Sequence, residues 1–264
     1  ELELLSDYQV AIVVIDNPTF RKYAERGEFV TTDGTSIADA RTLAAHIAVV
    51  KAMREYDLRK FISFHNRVKN AAEFSKRLPE VVEWMPEGDR PAGNLICHHV
   101  SGALPTGQRE AILNGIRNSP PNSRFLISNA RCLGEGIDVP CLDGVVFIDP
   151  RRSQVEIIQA LGRAIRKSPN KKTGTVVLPV FVDTSADAKK AVESSAFKPI
   201  WKVLRALRAH DDILGETLDR LRQGLGQFRN EQLEIPGKIH IELPVTIDQT
   251  FSDAMILKLF ESTI

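Results

Sequence analysis

Short apolar runs closed by turn residues recur along the chain: Val10–Ile15, Phe61–His65, Leu95–Val100, Arg124–Ser128, Gly144–Asp149 and Thr175–Val182. Their brevity and β-branched content predict buried strands. Between them the apolar period lengthens to that of a helix. Ala38–Tyr56 sets Leu43, Ile47, Val50 and Met53 on one stripe, and Arg67–Leu78 does so with Val68, Ala71, Ala72 and Leu78. Gly107–Asn118 buries Ile112 and Ile116 behind an N-cap expected at Thr106. Gln154–Lys167 buries Val155, Ile158, Leu161 and Ile165. Strands alternating with helices predict an α/β fold: a mainly parallel central sheet with right-handed crossovers, a helix layer on each face, and ligands at the carboxyl ends of the strands.

The pattern changes after about Asp183. Phe197, Ile200, Trp201, Leu204 and Leu207 form a helical stripe, with Lys198, Lys202, Arg205 and Arg208 on the other side. A second helix is expected over Asp211–Phe228, weakened by Gly215, Gly224 and Gly226. Ile239, Ile241 and Leu243 alternate with His240 and Glu242 as a strand would. The expected division is therefore a sheet domain over residues 1–186 and a mostly helical C-terminal appendage over 187–264 that packs on the sheet or extends from it.

Composition narrows the function classes. With 43% hydrophobic residues the chain builds a full core rather than a disordered segment. Thirty-five Lys and Arg against 34 Asp and Glu argue against a polyelectrolyte binder, but the balance hides a local excess. Arg151–Lys172 holds seven basic residues (Arg151, Arg152, Arg163, Arg166, Lys167, Lys171, Lys172) and one acid, Glu156. A basic run is ordinarily a solvated face; this one overlaps the motif described next, which favours anion binding. Cys97, Cys132 and Cys141 show no C-x-x-C spacing, an odd count that fits a reduced compartment. No signal peptide or apolar run of membrane-spanning length is visible, so a cytoplasmic location is expected. The chain opens on Glu1 rather than Met and is expected to be a piece of a longer protein.

The chemistry-bearing run is Gln159-Ala-Leu-Gly-Arg163-Ala-Ile-Arg166, entering a helix behind the strand Gly144–Asp149. Its two arginines, three apart, share a helix face, Gly162 leaves backbone room beside them, and guanidinium forks suit phosphate. Upstream, Ser128-Asn-Ala-Arg-Cys-Leu-Gly-Glu-Gly-Ile-Asp-Val-Pro140 follows a strand and holds two glycines and an acid in a tight loop. The Q-x-x-G-R-x-x-R run resembles motif VI of superfamily 2 helicases, and the 128–140 run resembles motif V. Phe61-Ile-Ser-Phe-His-Asn-Arg-Val-Lys-Asn-Ala-Ala-Glu-Phe74 is similar to motif IV, and His99-Val-Ser-Gly-Ala-Leu-Pro-Thr-Gly-Gln-Arg-Glu110 to the segment that follows it. No G-x-x-x-x-G-K-[ST] loop occurs, and Val145–Asp149 is followed by Pro150 and Arg151 rather than by a second acid, so Asp149 reads as a strand-end cap. The chain thus resembles the second RecA-like motor domain alone, the first being absent.

The resemblance implies ATP and Mg2+ held mainly by that missing first domain. It makes Arg166 the arginine finger and has Arg163 and Gln159 contact the γ-phosphate or hold the finger. It turns Gly136, Asp138 and Gly162 toward the nucleotide. It gives Asn66, Arg67, Ser101, Gly102, Ser128 and Asn129 contacts to the nucleic-acid backbone. The Gln-headed motif VI is closer to the restriction-enzyme and excision-repair branch than to the DEAD-box branch, tilting the substrate toward DNA. The region after Asp187 resembles helicase-associated segments of bacterial helicases. The function expected is the second motor domain of an ATP-dependent DNA helicase or translocase, this piece alone being inactive; the alternative is a nucleic-acid-binding or regulatory module whose motor no longer hydrolyses ATP. No metal site is expected: Cys97-His98-His99 lacks a distant partner pair. Trp84 and Trp201 read as core or interface residues.

Overall fold

The computed structural model describes residues 7–16, 40–130, 142–149, 157–159, 161–162, 173–182, 188–193, 197–224, 237–244, 247 and 249–262. Strands β1 (Asp7–Asp16), β2 (Lys60–His65), β3 (Asn94–Val100), β4 (Ser123–Ala130), β5 (Gly144–Phe147), β6 (Thr173–Val182) and β7 (Ile239–Glu242) form one sheet in the order β3-β4-β2-β5-β6-β1-β7. Every pairing in it is parallel. This is the mainly parallel α/β sheet read from the alternation of short apolar runs and helical stripes, and the RecA-like fold that the resemblance implies.

Strand order dictates the layers. The connections β1–α1 (Ala40–Glu55)–β2 and β2–α2 (Val68–Trp84)–β3 step toward the β3 edge, whereas β3–α3 (Thr106–Arg117)–β4 and β5–β6 step the other way. Crossovers of one hand then place the two sets of helices on opposite faces. Leu43, Ile47, Phe74 and Leu78 of α1 and α2 close one core with Ala11, Leu126 and Val146. Leu113 and Ile116 of α3, with Ile157 and Leu161, close the other with Ile12, Phe64 and Val145. Three local expectations shift. Thr106 is the first helical residue rather than the N-cap, which is Pro105 with no side-chain cap bond. Val68 is 45% exposed because the first turn of α2 lies past the end of β2. Leu113 takes the fully buried place beside which Ile112 is only partly covered.

The region after Ala188 supplies α4 (Ala188–Glu193), α5 (Lys198–Arg208), α6 (Asp212–Gly224), β7 and α7 (Gln249–Ser262). The expected stripe is intact: Phe197, Ile200, Trp201, Leu204 and Leu207 lie in the same core as Val10 and Ile12. β7 is not confined to the helices around it; it pairs with β1, Val10 opposite Ile239 and Ile12 opposite Ile241. Polar side chains hold the join. The Tyr8 hydroxyl donates to Asp211 Oδ2 at 2.6 Å, Lys238 Nζ reaches the same oxygen at 3.1 Å, and Leu214 N–H donates to Asp211 Oδ1 at 2.9 Å. Partial burial raises the Asp211 carboxyl, but these three donors outweigh it and hold the group below its ordinary value. Tyr56 at the end of α1 donates to Glu242 Oε1 of β7 at 2.7 Å.

Candidate functional site

A wholly parallel sheet brings all its strand carboxyl ends to one edge, so the loops after β2, β3 and β4 are neighbours. His65 is opposite Ala130 and Val100 is opposite Asn129. Asn66 and Arg67 after β2, Ser101 and Gly102 after β3, and Ser128 and Asn129 at the end of β4 therefore gather on the β3-β4-β2 part of this edge. With one strand between them, β2 and β3 lie about 10 Å apart at ~4.8 Å per strand. Asn66, Arg67 and Gly102 are exposed. A Cβ built on Gly102 meets nothing, so packing does not demand the glycine and its surface is open. Ser101 is 5% exposed and caps a turn in which Leu104 N–H donates to its carbonyl at 3.1 Å.

Asp149 pins the β2 loop. Its carboxylate accepts the Asn66 backbone N–H at 3.3 Å, while its own N–H donates to Phe64 O at 3.2 Å. The strand-end cap read from the sequence thus fixes the residue that begins the exposed turn.

Ser128 and Asn129 are fully buried. Ser128 Oγ lies 2.9 Å from Ser63 Oγ, which lies 3.0 Å from His65 Nε2. Ser63 and His65 alternate on one strand face, and Ser63 is directly opposite Ser128 in register. The polar chain continues through rings: His65 tilts against Phe74 at 5.0 Å, and His46 of α1 stacks on Phe74 at 4.1 Å. The sequence reading did not single out Ser63 and His65; the available signal was two polar residues two apart inside an apolar run. Burial pulls His65 down to about 3, helped by the nearby His46, and pulls His46 down to about 4 against carbonyls of Thr42 and Phe74 at 2.7 and 3.3 Å. Both imidazoles are therefore neutral in the fold. The unfolded chain binds protons below pH 6.5 that the folded chain refuses until about 4 and about 3. Stability is then full above pH 6.5 and falls by about 1.4 kcal/mol per pH unit for each imidazole through that window. Urea unfolding at pH 7 and pH 5 checks this, and His46→Gln is expected to flatten the slope; an unchanged slope in that variant refutes the assignment.

Of the residues that the resemblance turns toward nucleotide, Gln159 and Gly162 are described. Gln159 is exposed and Gly162 half-buried, whereas Ile157 and Leu161 are each 1% exposed. A Cβ on Gly162 meets no atom within 4 Å. Gly136, Asp138, Arg163 and Arg166 lie outside the described residues, as do Cys132 and Cys141.

Other candidates resolve into packing. Among the described residues no group of three or more His, Cys, Asp or Glu side chains is placed to hold a metal ion. Cys97 packs against the α1–α2 core, where desolvation pushes its thiol up to about 12. His98 packs on Phe125 at 5.4 Å. Trp84 lies against the same core as Cys97, and Trp201 is 6% exposed, stacked on Phe197 at 5.8 Å. No helix among the described residues is long and apolar enough to cross a membrane.

The sheet and its loop-bearing carboxyl edge define the class of fold, a RecA-like α/β domain. In particular, residues 45–168 match the helicase conserved C-terminal domain family. The whole chain superposes on part of the ATP-dependent Type ISP restriction-modification enzyme LlaBIII bound to DNA with a TM-score of 0.82 and 23% identity, covering 18% of that chain. It is 39% identical over 59 residues to a probable helicase of African swine fever virus, 22% of this chain and 7% of the relative. It is 24% identical to an ATP-dependent RNA helicase of Coccidioides immitis over 53% of this chain and 20% of the relative. The chain thus spans a small part of the length of each.

Proposed function

We propose that this chain is the second lobe of an ATP-dependent nucleic-acid helicase or translocase, acting in the cytoplasm, and that its strand is DNA. What carries the reading is the single carboxyl edge on which exposed Asn66, Arg67 and Gly102 adjoin the ends of the motif-bearing strands. In this reading residues 1–186 are the motor lobe and 187–264 its C-terminal appendage. Asn66, Arg67, Ser101 and Gly102 contact strand phosphates. Ser128 and Asn129 set the floor beneath them, with the Ser128 hydroxyl oriented by Ser63 and His65. Gln159, Arg163, Arg166, Gly136, Asp138 and Gly162 face ATP, whose Mg2+ and phosphates are held mainly by the first lobe of the same protein. ATP supplies the phosphoryl group whose loss opens the two lobes; this lobe contributes cations and backbone room. DNA is favoured by the Gln-headed motif and by the DNA-bound restriction enzyme that shares the fold.

A strand held by its phosphates is held sequence-tolerantly and salt-sensitively. Titrating this chain with single-stranded DNA between about 50 and 200 mM salt is expected to show a negative slope of log affinity against log salt. Arg67→Ala is expected to make that slope shallower by about 0.7, the value for one single-strand phosphate contact. A slope unchanged by Arg67→Ala removes the contact, and no slope at all removes the strand-binding edge.

A further inference from the structure

One row of the sheet changes character partway across. In register, His99 of β3 lies opposite Ser128 of β4, Ser128 opposite Ser63 of β2, Ser63 opposite Val146 of β5, Val146 opposite Val177 of β6, and Val177 opposite Ala11 of β1. The row faces the core closed by α1 and α2, which holds Val146, Val177 and Ala11. Its polar half falls on β3, β4 and β2, the strands whose ends carry Ser101, Gly102, Asn129, Asn66 and Arg67. Its apolar half falls on β5, β6 and β1. Ser63 and Ser128 are as buried as the valines beside them, each 0% exposed, and His65, the next residue of β2 on the same face, is 3% exposed.

Stability does not call for this polarity. A hydroxyl in the core exchanges bonds to water for bonds to protein, whereas a valine in its place would gain outright by leaving water. What the hydrogen bonds add is direction. Ser63 Oγ stands between Ser128 Oγ at 2.9 Å and His65 Nε2 at 3.0 Å. One hydroxyl gives to one neighbour and receives from the other, so the chain is complete only with all three side chains in place. The Phe74 ring of α2 lies against His65 at 5.0 Å. A slip of one residue between β2 and β4 would turn the two serines to opposite faces and leave both unpaired. A smaller slide would stretch their bond beyond hydrogen-bond range. Apolar contacts, being non-directional, tolerate such a slide.

We infer that Ser63 and His65 are positioning residues for the strand grip: their hydrogen-bonded chain to Ser128 locks the ends of β2 and β4 at one level, so that Asn66 and Arg67 stand in fixed relation to the end of β4. The inference rests on the reading of the carboxyl edge as a strand-binding surface and adds what sets its geometry. The test measures the affinity of this chain for single-stranded DNA at one salt concentration, with urea midpoints taken on the same preparations. Valine and threonine share a shape, and threonine alone keeps the hydroxyl, so Ser63→Val and Ser63→Thr separate the hydrogen bonds from the packing. Ser63→Val is expected to weaken strand binding about tenfold or more, the value of one hydrogen bond to a charged group, and Ser63→Thr to restore it. His65→Phe keeps a ring on Phe74 but removes the nitrogens. It is expected to weaken binding as much, and the double variant no further, since both substitutions break one chain. In an Arg67→Ala background Ser63→Val is expected to cost much less, because the contact it misplaces is already gone. Val146→Ala loosens the same row without touching the chain; it is expected to lower the urea midpoint and leave strand affinity unchanged. Native affinity in Ser63→Val or His65→Phe overturns the inference. So does failure of Ser63→Thr to recover binding, or a loss in Val146→Ala as large as in Ser63→Val. Native affinity in Arg67→Ala refutes the strand-binding edge itself, whereas a weakened Arg67→Ala beside a native Ser63→Val refutes the positioning role alone.

Discussion

Replacing Arg166 by alanine in the intact motor is expected to cut ATP turnover by about 10³–10⁵ while sparing ATP binding. An arginine finger meets charge that develops on the phosphoryl oxygens as the bond to the leaving group breaks. Its contribution is larger in the transition state than in the ground state, so the loss falls on kcat rather than on affinity. That range corresponds to about 4–7 kcal/mol of barrier, more than the net value of an ordinary hydrogen bond, because the charge is met in a site closed to water. Arg166→Lys is not expected to rescue, since an ammonium is a point charge without the planar fork. This chain alone is expected to turn over no ATP, because its sequence holds no phosphate loop. Phosphate release and nucleotide affinity measured on the same preparations check both statements. Undiminished turnover in Arg166→Ala removes the finger assignment, and turnover by the chain alone removes the division of labour between lobes.

The sheet was legible in the sequence because burial on both faces leaves a strong trace. Val10–Ile15, Phe61–His65 and Gly144–Asp149 are short apolar runs bounded by turns, and a parallel strand between helix layers requires this. The helical stripes of α1 and α5 were legible for the same reason: their apolar residues recur at helical spacing and are all buried. The partner of β7 was not legible. Ile239 and Ile241 announce a strand, but alternation names neither the neighbour nor the sheet, and pairing with β1 is a contact across more than two hundred residues. Nor did Tyr8, Asp211 and Lys238 carry a local signal of their meeting. At the carboxyl edge, strand ends placed Asn66, Arg67 and Gly102 where the motifs implied an exposed turn, whereas the burial of Ser128 followed from its register partner Ser63, which no local pattern reveals.

The same limit hid Arg124, which opens a strand run and reads there as a polar boundary. Arg124→Met is expected to destabilise the fold by about 3–5 kcal/mol. Arg124 is 5% exposed and spends most of its fork on the backbone: Nε donates to Ala92 O at 2.6 Å, Nη1 to Met53 O at 3.1 Å and to Leu58 O at 2.6 Å, and Nη2 to Asp57 Oδ1 at 2.7 Å. One side chain thereby ties the end of α1, the turn into β2 and the approach to β3 to the first residues of β4. Methionine fills the stem but removes this donor from the buried Leu58 carbonyl, a loss of about 1–3 kcal/mol, while the Met53 carbonyl keeps the Leu58 N–H at 3.2 Å and loses less. The Asp57 carboxylate is not the main loss. Its side chain is 55% exposed, and Arg59 remains beside it at 2.8 Å, so Asp57→Asn is expected to cost about 1 kcal/mol or less. Urea unfolding of the two variants separates the cases; equal, small losses would show that the carbonyl bonds contribute little. The site depends on this clamp although none of its residues touches it. Arg124 begins the strand that ends in Ser128 and Asn129, and the side-chain period of two means that any slip of β4 against β2 would turn Ser128 from Ser63 to the opposite face. A clamp at the amino edge of β4 therefore holds the register on which the carboxyl edge is built.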